Sequence, residues 1–268
     1  MQKISFNELP PVAKTLFIPL SCRAREYGRL DAIVNDPEAH NIFKQVPGIE
    51  RAFKGVGRFD QAAILMRARQ FDSLARDFLG VHPDGLVVDI GCGLDTRFFR
   101  VDNGRMHWLG LDLPEVIELR RSLIPDGKRN HTIACSVFDL TWLDEVERNH
   151  KPVIFLAEAI FPYFPEREVH IVLSAIVKRF RRAEIAFDIL SSRSVNIHNH
   201  TSGILKSTGA RLNWSVNDPH ALEKWGLKLM DVWGYFDHKE PRLGIENLMR
   251  FVPAWRNANR VVLYQVAS

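Results

Sequence analysis

The stretch Val88-Asp89-Ile90-Gly91-Cys92-Gly93-Leu94-Asp95-Thr96-Arg97 decides the fold. It overlaps a short apolar run, Leu86–Ile90, that is bounded by glycines and is typical of a buried strand. Gly91 and Gly93 then form a tight turn into a helix, where glycine permits unusual backbone angles and lets a nucleotide-like ligand approach the main chain. A dinucleotide fingerprint would need a third glycine at Thr96, and no Walker phosphate loop is present. The stretch therefore favours a nucleoside-binding site that is neither a dinucleotide site nor a Walker phosphate loop.

Acidic side chains stand at the ends of the strands that follow. Asp112 ends the predicted second strand, Asp139-Leu140 follows the third, and Glu158 ends the fourth. The carboxyl ends of parallel strands form the edge where open α/β sheets bind ligands. At that edge Asp112 can take both ribose hydroxyls of a nucleoside, while the Asp139 carboxylate and the Leu140 amide can read an adenine edge. One such carboxylate would be an ordinary capping or solvated residue, but together, in this order, they predict a nucleoside-binding site.

From Gly85 onward, predicted strands and helices alternate at the rhythm of βαβ units. Further strands are predicted at His107–Leu111, His131–Cys135, Val153–Ala157, Glu184–Ile189, Leu227–Val232 and Arg260–Val266. Helices are predicted at Pro114–Leu123 and Glu166–Phe180. The pattern predicts an α/β fold with a Rossmann-like, seven-stranded, mostly parallel sheet and an antiparallel finish.

Two segments lie outside this alternation. Residues 1–80 contain no convincing strand, and Asp36-Pro37 is typical of an N-cap followed by a first-turn proline. A longer helix is predicted at Phe59–Leu79, so we expect residues 1–80 to form an N-terminal helical extension or lid and residues 81–268 the catalytic domain. The polar, His- and Ser-rich stretch at about 190–217 is expected to be an insertion that caps the site, with a plain surface excursion as the alternative.

The composition is that of an ordinary globular chain: 268 residues, 46% hydrophobic and 25% charged. The net charge of +4 is small and spread out, so we expect no nucleic-acid partner. No run of 18 apolar residues occurs and Met1 to Pro11 lacks a signal-peptide core, so we expect no membrane association. The three cysteines lack metal-ligand spacing, which predicts no metal site and favours a reducing cytoplasm. No feature of the pattern indicates an oligomeric state.

Five ordered motifs resemble the leucine carboxyl methyltransferase family, which includes polyketide O-methyltransferases and protein-phosphatase carboxyl methyltransferases. In chain order they are Arg23-Ala24-Arg25-Glu26 with Asp36-Pro37-Glu38-Ala39, Arg67-Ala68-Arg69-Gln70-Phe71-Asp72, Gly91-Cys92-Gly93-Leu94-Asp95-Thr96-Arg97, Asp112-Leu113-Pro114-Glu115-Val116 and Glu158-Ala159-Ile160-Phe161-Pro162-Tyr163-Phe164-Pro165. The third and fourth are specific to this family, because generic methyltransferases usually carry glycine where Asp95 stands. The resemblance covers most of the chain and is densest from Arg23 to Leu173.

The resemblance implies an S-adenosylmethionine (SAM)-dependent methyltransferase fold with an N-terminal helical extension that closes the pocket. It implies that Arg67 pairs with the methionine carboxylate of SAM and that Glu158 binds its amino group. The other implied cofactor residues are Gly91 and Gly93 along the backbone path, Asp112 at the ribose, and Asp139 and Leu140 around the adenine. The chain departs from the family at Ala159, where glycine is common, and at Phe161-Pro162, where leucine or methionine is common.

The acceptor of the methyl group is expected to be an oxygen, in a carboxylate or a hydroxyl. An ionised carboxylate needs no general base, since its pKa of about 4 leaves it charged at neutral pH. A cation would then fix the acid, and Arg25, Arg69 and Arg193 are the candidates, each with a surface or structural role as the alternative.

A hydroxyl acceptor would be helped by a base. The catalytic candidates are Tyr163, His198 and His200, although a histidine in a polar loop is usually only solvated. Tyr163 is also a candidate for acceptor binding, and Phe161 and Trp214 are candidates for an apolar pocket wall, with a core position as the alternative.

Several functions remain open at this point. A small-molecule acceptor such as a polyketide or another secondary metabolite is favoured, with the C-terminal carboxylate of a protein as the alternative. A non-catalytic SAM-binding module is also possible, although no motif residue is degraded. A nucleic-acid amino-methyltransferase is disfavoured because Glu158-Ala159-Ile160-Phe161 stands where such enzymes carry an Asn/Asp-Pro-Pro-aromatic motif. A nicotinamide oxidoreductase is disfavoured by the missing third glycine.

Overall fold

A seven-stranded sheet forms the centre of the protein in a computed structural model that describes residues 11–54, 56–237 and 239–267. Its strands are β1 (Leu86–Ile90), β2 (His107–Asp112), β3 (Asn130–Ala134), β4 (Val153–Ala157), β5 (Glu184–Leu190), β6 (Leu227–Gly234) and β7 (Asn259–Val266). Their order is β3-β2-β1-β4-β5-β7-β6, with β7 antiparallel to both neighbours and the other pairs parallel. The predicted fold class is confirmed.

Helices cover the sheet, and three of the described ones precede its first strand in the chain. They are α1 (Pro11–Ala24), α2 (Pro37–Gln45), α3 (Arg58–Val81), α4 (Arg97–Val101), α5 (Pro114–Leu123), α6 (Trp142–Arg148), α7 (Glu166–Arg179), α8 (Ser192–Thr201), α9 (Gly203–Thr208) and α10 (Pro253–Arg256). Shorter 3₁₀ segments span Ile49–Phe53, Phe161–Tyr163, Pro219–Trp225 and Pro241–Phe251. The predicted cap of α2 is confirmed, because the Asp36 carboxylate accepts the Ala39 N–H at 2.9 Å.

The two faces of the sheet are both buried, which explains the uninterrupted apolar runs of β1 and β4. Alternate residues point to opposite faces. Val88 packs into the apolar cluster that includes α6 and α7 residues, while Val87 packs into the one that includes Phe71 and Phe78 of α3. α3 is thereby fixed against the sheet, directly before β1 in the chain.

The strand order reverses at β1, which lies between β2 and β4. A crevice opens at the carboxyl ends of strands at such a reversal. Gly91, Asp112 and Glu158 each directly follow or end one of these three strands, so the fold brings them to the same edge.

The N-terminal helices pack onto the turn that follows β1. Phe17 and Leu20 of α1 and Ile42 of α2 share one apolar cluster with Leu94, which lies in that turn. Within the described ranges, no helix combines the length and apolarity needed to cross a membrane.

The segment at about 190–217 contains two short helices, α8 and α9, followed by an irregular stretch at 210–216. Leu205 and Leu212 pack on Leu190 at the end of β5, with Tyr163 against the same cluster. The N–H groups of Asn213 and Trp214 donate to the Pro162 carbonyl at 2.8 and 3.2 Å. The segment is therefore attached to the turn that follows β4.

Candidate active site

The turn after β1 is shaped by two glycines in the left-handed region. Gly91 has a φ of 71° and Gly93 a φ of 43°. A Cβ at Gly91 would lie 2.5 Å from Cδ1 of Ile160, and one at Gly93 would lie 3.3 Å from Cδ2 of Leu16 on α1. A side chain at Gly91 would collide with Ile160 and one at Gly93 would press on Leu16, so glycine at both positions lets these side chains pack directly onto the turn.

Asp112, at the end of β2, faces this turn. One carboxylate oxygen accepts the Gly93 N–H at 2.8 Å and the other accepts the Leu113 N–H at 2.8 Å. Burial raises the pKa of Asp112 above its ordinary value, and the two backbone donors oppose that rise. Each oxygen keeps a free lone pair, so the carboxylate can accept from two hydroxyls of a diol.

Arg67 of α3 and Glu158 at the end of β4 form an ion pair in the same crevice. Nε of Arg67 donates to Oε1 of Glu158 at 2.9 Å, and both side chains are largely buried. Burial alone would lower the pKa of Arg67, but Tyr235, Glu158 and Asp188 raise it well above its ordinary value. A fixed cation next to a fixed anion suits a zwitterion such as the amino-acid end of a ligand.

The backbone turns sharply after Glu158. Ala159 has a φ of 56°, a conformation that L side chains rarely adopt. Its N–H donates to Oδ1 of Asp188 on β5 at 2.5 Å. The left-handed conformation explains why glycine suits this position, and Asp188 fixes the turn from the neighbouring strand.

A buried ion network behind Glu158 was not assigned from the sequence. Its cations are Arg23, Arg97 and Arg100, and its anions are Asp36, Asp72, Asp95 and Glu158. Asp36 alone accepts from Thr96 at 2.5 Å, Arg100 at 2.7 Å and Arg23 at 2.9 Å. All seven lie in or directly beside the family motifs, which was the available signal. The network joins α2, α3 and the glycine turn.

Asp89, in the middle of β1, is a further buried acid that the sequence analysis did not select. Its Oδ2 has no hydrogen-bond partner within the described residues, and Nη1 of Arg97 lies 4.0 Å from Oδ1. Burial, together with the negative charge of Asp95, raises the pKa of Asp89 to about 7. It therefore carries a proton for part of the time at neutral pH.

The two residues predicted near the adenine differ in their surroundings. The exposed Asp139 carboxylate accepts the Thr141 hydroxyl at 2.7 Å, so it supports the start of α6. The side chain of Leu140 lines a cavity of about 490 Å³ together with α7 residues such as Ile171. Within the described part of the chain, these two residues therefore have no side-chain contact with the Arg67–Glu158 pair.

The three catalytic candidates lie on the 3₁₀ turn after β4 and on α8. Tyr163 is close to Arg67 and Asp188, and burial raises the pKa of its phenol. Burial lowers the pKa of His198, with the distant Asp60 opposing the shift. His200 is exposed, and its Nδ1 lies 2.7 Å from the Asn196 carbonyl of its own helix. Of the three, Tyr163 is the one that packs against Leu190 at the end of β5.

The three candidate arginines for the acceptor have other partners. Arg25 lies over the Phe53 ring at 4.2 Å, Arg69 is 3.5 Å from Glu240, and Arg193 lies 6.0 Å from the Trp255 ring centre. The structure does not place them beside Arg67 and Glu158.

The two candidate pocket aromatics belong to the core. Phe161 is 1% exposed with its ring 5.4 Å from that of Phe187, and Trp214 is 4% exposed between Phe187 and Trp225. Neither presents a surface to an acceptor.

The chain matches a family model and two curated relatives. The family model for leucine carboxyl methyltransferase matches residues 22–177, which include Arg67, Asp112 and Glu158. The chain is 29% identical over 265 residues to the tetracenomycin polyketide synthesis O-methyltransferase TcmP of Streptomyces glaucescens, covering 96% of this chain and 97% of that protein. It is 28% identical over 253 residues to the S-adenosyl-L-methionine-dependent methyltransferase dpfgK of Gibberella zeae, covering 86% and 84%.

A solved structure shares the fold at low identity. It is a putative methyltransferase from Thermobifida fusca, with a TM-score of 0.59, 15% identity, and coverage of 96% of this chain and 95% of that chain. Together with the family match over more than half of the sequence, the site geometry identifies the chain as a member of the leucine carboxyl methyltransferase family and as a SAM-dependent methyltransferase.

Proposed function

We propose that this enzyme transfers the methyl group of SAM to a carboxylate oxygen of a small molecule, in the class of polyketides and other secondary metabolites. The observation that carries the proposal is the Arg67–Glu158 pair beside Asp112 and the glycine turn, in a chain that aligns over 96% of its length with a polyketide O-methyltransferase.

The residues present fit SAM. Arg67 would hold the methionine carboxylate, Glu158 the amino group and Asp112 the ribose hydroxyls. The main chain at Gly91 and Gly93 would border the ligand, and Asp89, whose Oδ2 has no hydrogen-bond partner within the described residues, lies in β1 two residues before this turn. The main chain at residues 139–140 would border the adenine.

When bound, SAM would supply an electrophilic methyl group: an acceptor oxygen in line with the C–S bond would bond to the methyl carbon as that bond breaks, and the sulfur would leave as the neutral thioether of S-adenosylhomocysteine. What the protein adds is alignment and exclusion of water, which are worth up to about 7–11 kcal/mol in intramolecular models. Residues 1–10 of the predicted lid lie outside the described residues. We propose that the described part of the N-terminal extension, from Pro11 onward, acts as the lid that excludes water, since Cδ2 of Leu16 lies over Gly93.

The acceptor would lie near Tyr163, beside the ends of β4 and β5. Burial keeps the Tyr163 phenol protonated, so its O–H can donate to a carboxylate oxygen. Burial likewise keeps His198 neutral at pH 7. A carboxylate acceptor needs no proton removed, so neither group has to act as a base. We propose that α8 and α9 cap this side, because Leu205 and Leu212 pack with Tyr163.

Product analysis with SAM and three matched acceptors tests the proposal. The acceptors are an aromatic polyketide acid, the same compound with its carboxyl replaced by hydrogen and its phenols kept, and a peptide ending in leucine. We expect the acid alone to gain one methyl group, as an ester that mild alkali removes. Methylation of the decarboxylated compound to an alkali-stable ether would show a hydroxyl acceptor, and methylation of the peptide alone would show a protein acceptor. Either result would overturn the proposal.

A further inference from the structure

Arg97, the first residue of α4, is fully buried beneath the proposed methionine site. Its Nε donates to Asp72 of α3 at 2.8 Å, and its Nη1 lies 2.6 Å from Asp95 of the glycine turn. Its Nη2 donates to Oε2 of Glu158 at the end of β4. One guanidinium thus joins three segments that each contribute to the crevice.

The charge on Arg97 is retained despite burial. Burial alone would lower the pKa of this guanidinium, but Asp95, Glu158 and Asp72 raise it above its ordinary value. A planar fork with five N–H donors can bind three acids in different directions at the same time. A lysine ammonium would keep the charge but could not reproduce that geometry.

Glu158 is consequently held from two sides. Arg67 takes Oε1 at 2.9 Å and Arg97 takes Oε2. Without Arg97, the Glu158 carboxylate is free to rotate and to pair through both oxygens with Arg67, since the two-pronged pair is the stronger geometry. The cation and the anion would then neutralise each other and leave fewer hydrogen-bonding atoms free for a zwitterion.

We propose that Arg97 is a positioning residue for methyl transfer, which holds Glu158 turned away from Arg67 so that both remain available to the amino-acid end of SAM. The inference rests on the proposed roles of Arg67 and Glu158. Arg97 itself does not touch the ligand, so its effect should be confined to the part of the ligand that Glu158 binds.

The chain offers a matched control in Arg100. This arginine is also buried on α4 and also pairs with Asp72 (2.7 Å) and Asp95 (3.3 Å), but it contacts Asp36 instead of Glu158. Replacing either arginine by lysine therefore disturbs the same network, and only Arg97→Lys releases Glu158.

Calorimetric titration with S-adenosylhomocysteine (SAH) and with adenosine, below the unfolding temperature of each variant, tests the proposal. We expect Arg97→Lys to lower the affinity for SAH by about 10-fold or more and the affinity for adenosine by less than about 3-fold, because only SAH loses a charge-assisted contact with Glu158. Arg100→Lys should change both by less than about 3-fold. In a Glu158→Gln background, Arg97→Lys should add less than about 3-fold to the loss of SAH affinity.

Three results would overturn the proposal: equal loss of both ligands in Arg97→Lys, the same SAH-selective loss in Arg100→Lys, or fully additive effects with Glu158→Gln. If Arg97→Lys does not fold, Arg97→Lys with Asp72→Asn, compared with Asp72→Asn alone, gives the same test with one fewer buried acid. Failure of the wild type to bind SAH would instead refute the proposed function. Normal wild-type binding with an unselective Arg97→Lys would refute this inference alone.

Discussion

Replacing Arg67 by alanine should separate the two ends of the cofactor. In the proposed function Arg67 binds the methionine carboxylate, and it has no described contact with Asp112, where the ribose would bind. We expect Arg67→Ala to lower the affinity for SAH strongly and to leave the affinity for adenosine almost unchanged, because adenosine lacks the amino-acid end.

The magnitude follows from the contacts. A charge-assisted hydrogen bond is worth about 1.5–3 kcal/mol, which corresponds to an increase in the SAH Kd of about 10- to 150-fold. The fold should survive, since Glu158 keeps Arg97 as its partner and is not left unpaired. We therefore expect a loss of unfolding free energy nearer 1–2 kcal/mol than the roughly 3–5 kcal/mol of an orphaned buried charge.

Titration calorimetry with SAH and adenosine, together with thermal unfolding, measures both quantities. Arg69→Ala is the control, since Arg69 lies two residues further on the same helix, is 42% exposed and is 3.5 Å from Glu240. It should leave both affinities unchanged. Equal loss of SAH and adenosine in Arg67→Ala would refute the assignment and show that Arg67 supports the pocket as a whole.

Three further substitutions test other parts of the account. Asp112→Asn should lower the affinity for SAH by at least about 100-fold with little change in Tm, because it weakens two contacts with the ribose, and retained affinity would contradict the ribose assignment. Because the pKa of Asp112 is raised, the affinity of the wild type for SAH should begin to fall at a higher pH on acidification than it would with an ordinary Asp. Ala159→Gly should raise the unfolding free energy by up to about 1 kcal/mol in denaturant titration, because relief of the left-handed strain exceeds the added chain entropy; a destabilised variant would show that the strain is absent. The raised pKa of Asp89, about 7, means that the ligand-free protein loses stability as pH rises from the ordinary Asp pKa of about 4 towards 7, by up to about 1.4 kcal/mol per pH unit, and that this decline levels off above pH 7. Asp89→Asn should lack this decline, and parallel stability profiles of the two proteins between about pH 4.5 and pH 7 would contradict it.

The strands were predictable because burial on both faces leaves a direct trace in the sequence. β1 and β4 were predicted with their observed ends, since each is a short apolar run between polar or turn residues. The predicted third strand is shifted by one residue, because β3 lies at the sheet edge and alternates between buried and exposed positions.

Other elements could not be predicted from local pattern. α8 and α9 are short and polar, and they are held by tertiary contacts such as those of Val195 and Leu205 with the cluster around Leu190. The 3₁₀ segment Pro241–Phe251 was not predicted either, and Arg242 attaches it to Glu26, which lies far away in the chain, by two hydrogen bonds of 2.8 Å.

The buried ion network was missed for a related reason. Periodicity treats a charged residue as exposed, and its partner is usually remote, as with Asp72 and Arg97 or Asp36 and Thr96. The acids within otherwise apolar surroundings, Asp72 on α3 and Asp89 in β1, were the signal that burial requires a cation nearby. Asp112 and Glu158 were predicted from their positions at strand ends, whereas Arg67 and the amino-group role of Glu158 came from the family resemblance. The structure brings Arg67 and Glu158 together and places Asp112 against the glycine turn.

Calorimetric titration of the wild-type protein with SAM and SAH, with NADH as the control, is the most direct test of the central claim. The account predicts micromolar binding of SAM and SAH and no binding of NADH. A folded sample that binds neither SAM nor SAH would contradict it, because the glycine turn, Asp112 and the Arg67–Glu158 pair would then serve a different ligand.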